Sequence, residues 1–181
     1  MRKIITGVLA TVLVTGGAFW ASHVIAAGSN TEGMTAKQAA LDVPVGELVN
    51  PFDASDEEVV AKGQAAFRGA CAACHGGTGG GGMGPPLSNQ VWNYDETDDT
   101  LFRLITLGSD CKNFDVCIET LGFKRVKRET MSFPMPGQGH LQKDAPEGKE
   151  PSLKTPEDVW NIVTFIRKIN PESAKSANAT N

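Results

Sequence analysis

The 181-residue sequence lacks a surplus of positive charge: 17 Lys and Arg stand against 21 Asp and Glu, a formal net charge of −4. Nucleic acids are held chiefly by Lys and Arg neutralising phosphates, so an acidic chain of this kind excludes them as partners. No segment sustains the two-residue alternation of a half-buried strand, and no internal repeat is present. Sandwiches, barrels and solenoids are thereby excluded, and an all-α fold is expected. The run Gly76-Gly77-Thr78-Gly79-Gly80-Gly81-Gly82 is not followed by Gly-Lys-Ser/Thr, which excludes a phosphate-binding P-loop. Histidine is scarce, with only His75 and His140 beyond residue 27. Cysteine is limited to Cys71, Cys74, Cys111 and Cys117.

What is present begins with a short basic start, Met1-Arg2-Lys3. An apolar run from Ile4 to Ala27 follows, and small residues around Ala26-Ala27-Gly28 suit cleavage. This is the layout of a secretory signal peptide over residues 1–27, and the run is nearly long enough to serve as an uncleaved membrane anchor instead. Either way the remainder is expected outside the cytoplasm, in the periplasm. Removing the stretch takes two positive charges off the net of −4 and leaves the rest at −6. Such a surface permits docking on a basic patch of another protein.

Export also bears on the thiols, since an oxidising compartment leaves few of them free. Cys71-Ala72-Ala73-Cys74-His75 has the spacing C-x-x-C-H. A redox dithiol would need a strand before it and a stable helix after it, and seven residues that include six glycines cannot supply that helix. A zinc site would need a second pair of ligands, and Cys111 and Cys117 are spaced too widely for a usual knuckle. The spacing matches covalent attachment of a c-type haem. Two thiols add to the two vinyl groups, and the adjacent His75 supplies the proximal imidazole to iron. The glycines then let the backbone run close to the cofactor. Cys111 and Cys117 lie in a later segment, SDCKNFDVCIETLGFKRVKRET, where a disulfide is the plain reading; free thiols or a metal site are the alternatives.

Around these motifs, residues 28–54 show no sustained period and read as an N-terminal extension, lying on the domain or partly disordered. Ser55-Asp56-Glu57-Glu58 reads as a capping box that opens a helix from Asp56 to Arg68, with Val59, Val60, Gly63, Ala66 and Phe67 on one side. A second helix is expected over 98–107. A third begins at Thr155, with Pro156 in its first turn, and ends before Pro171. Residues 171–181 form a polar tail.

This arrangement resembles the class I cytochromes c over residues 55–170. The resemblance rests on Gly63 and Phe67 in the first helix, the Cys71–His75 motif, Gly84-Pro85-Pro86-Leu87, Met135-Pro136, and a final helix carrying Phe165. It implies a small all-α fold around one covalent haem c, here with an N-terminal extension and a loop insertion. It also implies that the first and last helices cross at Gly63, and that the Pro85 carbonyl accepts a hydrogen bond from the His75 ring. The distal ligand must come from far along the chain, which sets Met83 aside. Met131, Met135 and His140 are the candidates, and Met135 matches the family's Met-Pro loop. A soft thioether favours ferrous iron.

The function expected is single-electron transfer and not enzymatic catalysis, with redox proteins as partners: a dehydrogenase as donor, an oxidase or another cytochrome as acceptor. The stretches GGGGMGPPL and VWNYDETDDTLFRLITLG are similar to periplasmic cytochromes that accept electrons from quinoprotein alcohol dehydrogenases. A membrane-anchored cytochrome subunit, using residues 4–27, is the alternative; a haem enzyme or gas-binding protein is disfavoured by the scarcity of histidine and by the Met-Pro loop. Lys124, Arg125, Lys127 and Arg128 form a small basic patch beside the expected haem edge. Trp92, Tyr94 and Trp160 are expected in the core or against the haem.

Overall fold

Five α-helices carry the fold of the computed structural model, which describes residues 30–126 and 133–171. They are α1 (Ala36–Asp42), α2 (Glu57–Ala70), α3 (Ala72–His75), α4 (Asp98–Leu107) and α5 (Pro156–Ile169), with one 3-10 turn at Ile118–Leu121. Among the described residues there is no strand, only an isolated bridge between Gly108 and Pro136. The all-α expectation therefore holds. The apolar run 4–27, Lys127, Arg128, Met131 and the tail from 172 onward lie outside the described residues.

Helix α2 starts one residue later than the sequence motif suggested. Its cap is Asp56, not Ser55, whose own amide donates to Asp53 Oδ1 at 2.7 Å. The reason is geometric and electrostatic. The Asp56 carboxylate accepts from both the Glu58 and Val59 amides, and it places negative charge at the positive end of the helix. From there Val59, Gly63 and Phe67, four residues apart, form the buried stripe.

That stripe crosses α5, the most extensive helix–helix contact among the described residues. A Cβ at Gly63 would run into the backbone carbonyl of Asn161, so only glycine allows this approach. Phe67 and Phe165 meet beside it with ring centroids 5.1 Å apart, and Trp160 packs on Phe102 at 4.5 Å. Helix α5 is set by Thr155, whose side chain accepts from the Asp158 amide while Asp158 returns to the Thr155 amide. Gly63→Ala should therefore cost about 1–3 kcal/mol, the usual range for overpacking a close contact. Urea unfolding of the holoprotein checks this, and an unchanged midpoint would mean that the crossing is looser than the geometry indicates.

The extension is not structureless over its described part. Helix α1 was not expected, because its buried face consists of Ala36, Ala39 and Ala40, too small to stand out as an apolar stripe. Its start was nevertheless written in the sequence: Thr35 and Gln38 form a reciprocal capping box. The chain after α1 is held by Arg103 of α4, which is fully buried. Arg103 pairs with Asp99 at 2.9 Å and donates to the carbonyls of Ala40, Val43 and Pro44. Asp99 in turn accepts from the Leu48 amide at 3.2 Å. The extension therefore lies on the domain, clasped by one buried ion pair.

Candidate functional site

Helix α2 ends at Ala70 with Cys71 as its C-cap, and the short α3 carries the motif straight into His75. The glycine run then turns back on it. The Gly81 amide donates to the His75 carbonyl at 2.8 Å, and the Gly84 amide to the Cys74 carbonyl at 2.9 Å. This fold-back brings Pro85 over the His75 ring, where Nδ1 lies 2.8 Å from the Pro85 carbonyl oxygen. A carbonyl can only accept, so Nδ1 carries the hydrogen, and in the neutral ring the lone pair is then on Nε2. Gly84 packs flat on the ring: a Cβ there would sit 2.9 Å from Cε1 and 3.0 Å from Nδ1. The expected Pro85 contact is thus present in the structure.

Cys71, Cys74, His75, Pro85 and Met135 all line one cavity of about 390 Å³. Its walls are overwhelmingly apolar and come from α2, α4 and α5, including Phe67, Leu101 and Ile162. The size falls within the roughly 300–1,000 Å³ typical of cofactor and small-molecule sites. Cys71 and Cys74 are not joined to each other. Burial, with a smaller contribution from Cys74, pushes the Cys71 thiol up to about 12. A nucleophilic redox dithiol needs the opposite shift, toward the thiolate at neutral pH, so the environment speaks against that use.

The chemistry of the wall fits haem. Two thiols three positions apart, an imidazole oriented by Pro85, and a thioether share one apolar chamber. Trp92 adds a buried indole N–H in the wall with no acceptor of its own. A cofactor bearing carboxylates would satisfy it. Tyr94 lines the same wall and donates to Glu119 Oε1 at 3.0 Å, whereas Trp160 lies in the core away from the cavity. Met83 and Phe133, 63% and 79% exposed, rim the opening.

Two of the three distal candidates are described, and they differ in position. Met131 lies outside the described residues. His140 does not line the cavity: it is buried, its Nε2 donates to the Leu107 carbonyl at 3.1 Å, and its ring stacks on Phe114. Burial lowers its pKa below the ordinary histidine value, which keeps it neutral in this packing role. Met135 reaches the wall because its backbone is fixed from α4's end. The amides of Ser109 and Asp110 donate to its carbonyl at 2.8 and 3.2 Å, and its own amide donates to Ser109 Oγ at 2.9 Å. Gly108, at φ +72°, permits this approach, since a Cβ there would strike the Met135 carbonyl. Sequence reasoning missed Ser109 altogether; nothing in a lone serine before Asp110 marks it. Cys111 and Cys117 form a disulfide, with Cα atoms 5.2 Å apart.

Comparisons with curated proteins and with solved structures return no match. The family model described as Cytochrome c matches residues 60–170, a span that runs from within α2 through α5 and includes every cavity residue named above. The chain belongs to the cytochrome c family, and is accordingly an electron carrier with haem c covalently bound, and not an enzyme.

Proposed function

We propose that this protein is an exported monohaem cytochrome that carries single electrons in the periplasm. In this reading Cys71 and Cys74 would hold the haem as thioethers, and His75 and Met135 would be the two ligands to its iron. The observation that carries it is the 2.8 Å contact from His75 Nδ1 to the Pro85 carbonyl, inside a cavity that Cys71, Cys74 and Met135 also line. It orients the imidazole and raises the basicity of Nε2 toward a metal.

Bound haem supplies a one-electron Fe(III)/Fe(II) couple. The residues of the chain set the conditions for it. Pro85 and Gly84 fix the His75 ring against rotation. The apolar wall excludes water and, with the thioether of Met135, favours the ferrous state over the more highly charged ferric one. With His75 and Met135 both holding the iron, no ligand position would be left for a substrate. The unpartnered indole N–H of Trp92 would be available to donate to a haem propionate.

Electrons enter and leave at the rim formed by Met83 and Phe133, through small transient contacts with redox proteins. We assign the donor to a quinoprotein alcohol dehydrogenase, on the similarity of GGGGMGPPL and the following VWNYDETDDTLFRLITLG, and the acceptor to a respiratory oxidase or a second cytochrome. Export rests on the basic start and the apolar run 4–27. Two measurements test the reading together. Acid–acetone extraction should leave the haem on the polypeptide, and the reduced spectrum should not change under carbon monoxide. A colourless polypeptide would end the attachment at Cys71 and Cys74. A carbon monoxide adduct of the native protein would end the carrier reading in favour of gas binding.

A further inference from the structure

We propose that the segment from Gly108 to Glu119, closed by the Cys111–Cys117 disulfide, is a clamp that holds Met135 on the iron, with Ser109 as its positioning residue. The inference rests on Met135 being the distal ligand.

The segment grips the ligand loop at three places. Ser109 and Asp110 make all three hydrogen bonds to the Met135 backbone described above. Phe114, buried at the tip of the disulfide loop, stacks on His140 with centroids 4.7 Å apart and an interplanar angle of 22°. The Asn113 carbonyl accepts from the Lys143 amide at 2.9 Å. The segment is also closed on itself twice. Cys111, immediately after the gripping dipeptide, is bonded to Cys117, and the next amide, Ile118, donates to the Gly108 carbonyl at 2.8 Å. A side-chain bond braces the far end of the segment: the Tyr94 phenol donates to Glu119 Oε1 at 3.0 Å, just beyond Cys117. Burial first, and then the Glu119 carboxylate, push the Tyr94 phenol up, so it remains a donor.

The physical consequence concerns ligand loss. A thioether is a weak ligand for ferric iron, and exogenous bases compete whenever the methionine swings away. Moving the Met135 backbone, the displacement that carries its sulfur well away from the iron, must break its bonds to Ser109 and Asp110, or drag them along. The disulfide removes the second route, because it ties Asp110 to a segment anchored by buried Cys117 and Ile118. The bridge therefore acts on Met135 through Ser109, without touching the haem.

The test uses ferric holoprotein and imidazole as the competing ligand. In the double variant Cys111→Ser/Cys117→Ser, imidazole should bind about tenfold more tightly and displace the methionine faster, with the red sulfur-to-iron band weakened; Ser109→Ala should give about a threefold effect. A bridge that only stabilised the fold would lower the thermal midpoint and leave imidazole affinity at room temperature where it was. If both variants bind imidazole within twofold of the parent, the clamp is wrong. Should the double variant yield no holoprotein, the parent holoprotein carries the test: its bridge is reduced with a phosphine, the thiols are alkylated, and the iron is reoxidised, with the same expected and opposing results. Met135→Ala separates the two levels. If it retains the sulfur band, the ligand assignment fails and the clamp with it; if it loses the band while the bridge variants do not move imidazole binding, the clamp alone fails.

Discussion

Met135→Ala should open the iron. The substitution removes a cavity-lining thioether whose backbone is held by Ser109 and Asp110, and alanine offers no replacement donor. The weak red sulfur-to-iron absorption of the oxidised protein should vanish. Carbon monoxide should bind the reduced protein, and the reduction potential should drop by a sizeable part of the roughly 0.8 V span over which axial ligands tune haem. The helical circular dichroism should hardly change, because the loop's backbone bonds to Ser109 and Asp110 do not depend on the side chain. Met131→Ala should leave the red band in place. The reverse pattern would move the distal ligand four residues earlier.

Asp99→Ala should be the most destabilising of the single changes considered. Arg103 would remain fully buried with its charge uncompensated, still facing the carbonyls of Ala40, Val43 and Pro44. Removing one partner of such a pair costs about 3–5 kcal/mol. The Leu48 amide also loses its acceptor. Thermal or urea unfolding of holoprotein reads this directly. Replacing both partners with apolar residues of similar volume should recover much of the loss, since the isolated charge is what makes the single change severe. A loss below 1 kcal/mol for Asp99→Ala would show that water reaches Arg103 and that the extension is not clasped as described.

The parts of the fold that could be read in advance are those whose information is local. Helices α2, α4 and α5 announce themselves through apolar spacing and through first turns that carry Asp or Glu; Thr155 with Pro156 fixes the start of α5 almost to the residue. Helix α1 escaped because alanine contributes too little hydrophobic contrast, although Thr35 and Gln38 marked its start. Cys71, Cys74 and His75 are legible because the attachment chemistry needs them adjacent. Ser109 is not, since its role depends on Met135, 26 residues away, and no short-range pattern encodes that meeting. His140 was open as a ligand from sequence because a histidine's residue type does not reveal its direction. Its bond to Leu107 and its stack on Phe114 show that it braces the loop from behind.

The identity of the two axial ligands is tested most directly by proton NMR of the ferrous holoprotein with methionine labelled at its methyl carbon. A methionine methyl bound to iron sits over the porphyrin and is shifted far upfield by the ring current. One such methyl should appear, it should disappear in Met135→Ala, and it should persist in Met131→Leu. A shifted methyl that survives Met135→Ala, or a spectrum with no shifted methyl at all, would contradict a carrier built on the His75–Met135 pair.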